Sequence, residues 1–104
     1  MLFKVNGIIW RVEMVSPYNP NLMRTDGSYT LGCCDNATKT IYIAEGLNAA
    51  KFYKVLAHEV THAAMHSYEV GLTVSQEELL ADIIATYGGE IVKVTNKVFR
   101  KIKK

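Results

Sequence analysis

Cysteine and proline are nearly missing from this chain of 104 residues, with two of each. The cysteines, Cys33 and Cys34, are adjacent. Neighbours on a strand point to opposite faces, so bridging them would need strained geometry, and a disulfide-framed fold is excluded. Two cysteines also lack the spaced pairs of a structural zinc site, and they read as reduced thiols in a strand. Long apolar runs are missing too: none approaches the roughly 20 residues needed to cross a bilayer. The opening residues Met1 to Gly7 have no basic segment, long apolar core and small-residue cleavage site. The expectation is a cytoplasmic protein with no membrane contact. Nor is there an excess of one charge: 12 basic residues against 10 acidic ones leave a formal net charge of +2. Half of the basic residues, Lys93, Lys97, Arg100, Lys101, Lys103 and Lys104, lie near the end. They read as a solvated helix terminus, where cations suit the helix dipole. A nucleic-acid or acidic-partner contact is the less favoured reading of the same segment.

What is present is apolar material, 49% of the residues, enough for one modest core. The length holds one domain, residues 1–104, and too little for two. Met1 to Val5 and Ile8 to Val15 flank Asn6-Gly7, a two-residue hairpin signal. Residues 16–28 contain both prolines and Asp26-Gly27 and read as a loop. Tyr29 to Cys34 and Lys39 to Ala44 read as a second hairpin around Asp35-Asn36-Ala37-Thr38. Helix formers then take over. Asn48 can cap a helix from Ala49 to about Ser67, and Gly71 ends the segment. Thr73 or Ser75 can cap a second helix from about Gln76 to Tyr87, which Gly88-Gly89 breaks or kinks. Glu90 to Lys103 follows as a third helix with Ile91, Val94, Val98 and Ile102 on one face. The predicted fold class is therefore α+β, a small antiparallel β-sheet in the N-terminal half packed against a helical half.

The chemistry lies in His58-Glu59-Val60-Thr61-His62. Histidines four apart share one helix face, about 6 Å apart along the axis, and can converge on one zinc ion. Glu59 is one residue on, about 100° around, beside the open coordination position. From there a carboxylate can take a proton from an attacking water. The surrounding Val55, Leu56, Ala57, Val60, Ala63, Ala64 and Met65 imply burial, and buried imidazoles and carboxylates need partners. A catalytic zinc needs a third protein ligand, and Glu78 is the favoured one, with Glu77 as the fallback. Asp82, one turn beyond Glu78, can accept the outer N–H of a ligand histidine. A competing reading makes Ser75 and Glu78 a capping box. His66 is four residues beyond His62, about 12 Å along the axis from His58, too far to share one tetrahedral ion. It is expected to pack or to line the edge of the cleft. Tyr42, Tyr53, Tyr68 and His66 are candidate oxyanion donors, each read first as an ordinary packing residue, so no donor is assigned, while Tyr87 should point away from the Glu78 face.

His58 to His62 followed by Glu78-Leu79-Leu80-Ala81-Asp82 resembles the gluzincin pattern, HExxH followed by ExxxD. The segment Val55 to His66 is also similar to the ImmA/IrrE-type metallopeptidases of bacteria and mobile elements, and the resemblance covers roughly residues 39–88. It implies a minimal zincin-type domain binding one zinc ion through His58, His62 and Glu78. Glu59 would be the general base and Asp82 the residue supporting a ligand. It further implies peptide-bond hydrolysis in a protein or peptide substrate. The strand before the motif helix, Lys39 to Ala44, would be the sheet edge to which an extended peptide adds. The alternative function is a zincin-like zinc-binding module that binds a protein partner without cleaving it.

Overall fold

The computed structural model describes residues 1–103, so Lys104 of the basic segment lies outside it. Asn6 and Gly7 both adopt left-handed backbone, with φ of 48° and 75°. That pair of angles makes the tight turn whose twist matches its flanking strands, and it joins strand β1 (Leu2–Val5) to antiparallel β2 (Ile8–Val15). The second hairpin joins β3 (Gly32–Asp35) to β4 (Thr40–Ala44). Asp35 Oδ1 accepts hydrogen bonds from the Ala37 and Thr38 amides at 3.0 and 3.4 Å. Lys39, with φ of 52°, belongs to this turn rather than to β4. Tyr29 belongs to a loop bridge with Met23, so β3 starts three residues later than predicted.

The antiparallel sheet expected from the sequence is in fact mixed. Its order is β1-β2-β4-β3, and β2 pairs with β4 in parallel, from Arg11 opposite Thr40 to Val15 opposite Ala44. The cause is the apolar content of β4. Ile41 and Ile43 are fully buried, so β4 takes the middle of the sheet. Residues 16–31 carry the chain past its end to β3 on the far side. That loop also contributes to the core: Asn19 caps a 3₁₀ turn, Pro20–Leu22, that buries Leu22 completely.

Helix α1 (Ala49–Ser67) begins where the Asn48 side chain accepts from the Lys51 amide at 2.8 Å. Phe52, Val55, Leu56 and Val60 pack on a core of Trp10, Ile41, Ile43 and Ala63. The far end of α1 is fastened to the first hairpin. Asn6 Nδ2 donates to the Ser67 carbonyl at 2.9 Å, and Trp10 Nε1 donates to Ser67 Oγ at 2.8 Å. The sheet thus fixes the helix that carries the histidines at its middle and at its C-terminal end.

Helix α2 (Val74–Ile83) starts with a reciprocal capping box, formed by Thr73 and Gln76 rather than by Ser75 and Glu78. Glu78 is therefore free of the cap. Of the break or kink predicted at Gly88-Gly89, the break does not occur. Both glycines hold helical backbone, and the chain passes through one π-turn, Ile84–Gly88, into α3 (Gly89–Ile102). A wide turn of this kind absorbs an extra residue without ending the helix. No helix among the described residues is long and apolar enough to cross a membrane.

Candidate metal centre

Four-residue spacing on α1 puts His58 and His62 on one face, and α2 returns alongside it carrying Glu77, Glu78 and Asp82. His58 Nε2 and His62 Nε2 lie 3.2 Å apart. The Glu78 carboxylate straddles them, with Oε2 3.2 Å from the first and Oε1 3.0 Å from the second. Each outer nitrogen faces another carboxylate: His58 Nδ1 lies 3.0 Å from Asp82 Oδ1, and His62 Nδ1 lies 2.6 Å from Glu77 Oε1. All four ring nitrogens thus face carboxylate oxygens, and a neutral imidazole can donate from only one of its two. With each Nδ1 donating outward, both Nε2 lone pairs turn towards Glu78, and His58, His62 and Glu78 form a group that could hold a metal ion.

The structure brings His58, His62, Glu78 and Asp82 into contact, and Glu59 lines the same cavities. Asp82 takes the outer N–H of His58, as expected of it. Glu77, the expected fallback ligand, supports His62 instead. That second acceptor escaped the sequence reading, although each of two ligand histidines has an outer N–H in need of one. His66 stands aside, its Nε2 3.8 Å from Glu77 Oε1, on the border of a cavity.

Glu59 points towards the sheet and is 7% exposed. Burial pushes its carboxyl above the usual value of 4.5, against the pull of His58 and His62. It fits there because residue 32 is glycine. A Cβ at that position would stand 2.7 Å from Val55 Cγ1, 3.0 Å from Glu59 Cγ and 3.1 Å from Glu59 Oε2. Nothing in the sequence marked Gly32 as a neighbour of Glu59. Burial also raises both thiols of β3, that of Cys34 to about 12, which keeps them protonated and disfavours a metal-ligating or redox role.

Two adjoining cavities, of about 420 and 300 Å³, open at the cluster and share Arg24, Thr30, Gly32, His58, Glu59 and Glu78 as walls. Tyr42, Tyr53 and Tyr68 line neither, whereas Arg24 and His66 do. The strand beside the cleft is β3, not β4. The predicted edge, Lys39 to Ala44, is paired on both sides, because its apolar residues draw it to the centre.

Comparison with protein-family models, with curated proteins and with solved structures gives no match for this chain.

Proposed function

We propose that this chain is a zinc-dependent peptidase acting on a protein or peptide substrate. His58, His62 and Glu78 are its zinc ligands and Glu59 its general base. The observation that carries this reading is the convergence of two imidazole nitrogens and one carboxylate, each imidazole backed by a further carboxylate, beside a buried glutamate. Two nitrogens and a carboxylate suit zinc. Their spacing is compatible with it: ligand atoms about 2.0–2.1 Å from a tetrahedral zinc stand about 3.3 Å from one another, and here the two imidazole nitrogens are 3.2 Å apart, each 3.0–3.2 Å from a different oxygen of Glu78. Bound there, zinc would lower the pKa of a water molecule and polarise the scissile carbonyl.

The chain's own residues supply the rest. Glu59 accepts the proton of the attacking water and returns it to the departing amide nitrogen. Asp82 and Glu77 hold the two imidazoles in the liganding tautomer. Arg24, the cation bordering both cavities, supplies a donor for the developing oxyanion, the role for which the tyrosines had been candidates. The substrate adds as a strand to β3. Leu31 O accepts from Ala44 N at 2.9 Å, so in the antiparallel alternation the backbone groups of Gly32 and Cys34 face outward.

The test is metal analysis combined with a cleavage assay on peptide libraries. Wild type is expected to hold one zinc per chain, His58→Ala and Glu78→Ala to lose it, and Glu59→Gln to keep it without cleaving. Wild type free of stoichiometric zinc, or a Glu59→Gln variant with undiminished cleavage, would sink the reading. Zinc retained with no cleavage by wild type under any condition would favour the non-cleaving binding module.

A further inference from the structure

Helix α3 lies outside the metal centre. Among the described residues it packs substantially only against the adjoining segment 84–88. At about 100° per residue, Ile91, Val92, Val94, Val98, Phe99 and Ile102 fall within one arc of roughly 160°, interrupted by Thr95, whose hydroxyl donates to the Ile91 carbonyl at 2.7 Å. All six are exposed, from 48% at Val98 to 75% at Ile102. The opposite arc is basic. Residues 89–103 carry five Lys and Arg against Glu90 alone, a net charge of +4. Lys101 and Lys103 border the apolar arc on its two sides.

Three kinds of cover can be weighed. A second copy of the helix would bring two +4 surfaces together, with like charges flanking the seam. A groove on a protein takes a narrow stripe at i, i+3 or i+4, and i+7. That stripe is Ile91, Val94, Val98 and Ile102, and it leaves Val92 and Phe99 in water. An apolar half-space bordered by negative charge covers the whole arc and pairs with the basic flanks as well.

We propose that α3 lies in the surface of an anionic phospholipid bilayer. Its apolar arc is buried at the acyl boundary, and its lysines reach the phosphates. At 14 residues it is shorter than the roughly 20 needed to span, so it rests along the interface. The sequence-based expectation of no membrane contact rested on the missing spanning segment and the missing targeting signal, and a helix of this kind needs neither. The inference is independent of the metal-site reading. It makes the cleft that of a protein held at a membrane face.

The test uses the full chain and lipid vesicles. Wild type is expected to co-sediment with mixed phosphatidylglycerol–phosphatidylcholine vesicles at low salt. It should stay in the supernatant with phosphatidylcholine alone. Val94→Glu with Val98→Glu should abolish sedimentation while leaving the fold intact, since neither side chain contributes to the core. Lys97→Ala with Lys101→Ala should weaken binding by roughly thirtyfold, two interfacial cations being removed. Failure of wild type to bind anionic vesicles at low salt would overturn the proposal, and so would binding that survives the glutamates. Sedimentation equilibrium showing a dimer that the glutamates dissociate would also overturn it, giving the face to a second copy.

Discussion

At the scale of single residues, the environment of Glu59 is the most consequential. Burial holds its carboxyl above 4.5, so the folded protein keeps a proton that the unfolded chain releases. The stability owed to that proton is present at low pH and is lost as pH rises through the folded value. Glu59→Gln removes the cost of ionising a buried acid. The metal-free variant should therefore melt above metal-free wild type at neutral pH, and the gap should close as pH falls towards 4.5; calorimetry across that range checks it. In the cleavage assay the same substitution should lower kcat by about 10²–10⁴-fold. Gly32→Ala should act through the same carboxylate. Crowding Val55 and Glu59 should cost about 1–3 kcal/mol by denaturant unfolding, with cleavage impaired and zinc content unchanged. The two carboxylates behind the histidines should not weigh equally. Glu77 is 17% exposed and Asp82 is 70% exposed, and water can replace Asp82 more readily. Glu77→Ala should weaken zinc binding by about 10–100-fold, more than Asp82→Ala does in the same competition titration.

At the scale of elements, α1 was fully legible in the sequence, because its cap, its apolar face and its chemistry fall on one continuous run from Asn48 to Ser67. Within each helix the spacing was legible for the same reason: His58 with His62, and Glu78 with Asp82, are each one turn apart. What the sequence did not reveal is non-local. The parallel pairing of β2 with β4 depends on where a 16-residue connection leads, and no short-range signal encodes that. The position of Gly32 against Glu59 depends on the same pairing. The two glycines at 88 and 89 misled differently, since an intrinsic tendency to end helices was overridden by a π-turn. This gives a contrast to measure. A Cβ at Gly89 meets Tyr53 Oη at an ordinary 3.7 Å, but one at Gly88 meets Ile84 Cγ2 at 3.1 Å. Gly89→Ala should stabilise the protein by about 0.5–1 kcal/mol, and Gly88→Ala should stabilise it less or not at all. Urea unfolding of the two variants beside wild type decides it.

At the scale of the whole molecule, the proposed zinc site is built on helices that also close the core, which would link ion binding to folding. A ligand present at 100 times its Kd adds about 2.7 kcal/mol to the folded state. A domain of this size gains about 4–8 °C in Tm per kcal/mol. Removing zinc with a chelator should therefore lower Tm by roughly 10–20 °C, and restoring one equivalent should recover it; a Tm indifferent to zinc would contradict the link. The chelating residues and their supporting carboxylates all fall between His58 and Asp82, whereas the surroundings of Glu59 come from strands that precede them. During synthesis the chain leaves the ribosome N-terminus first. All four strands, including the central β4, have thus been translated before the first imidazole appears. The chelator is complete only once Asp82 has emerged. On the proposed reading, a nascent chain acquires the strand wall beside Glu59 first and its affinity for the ion last.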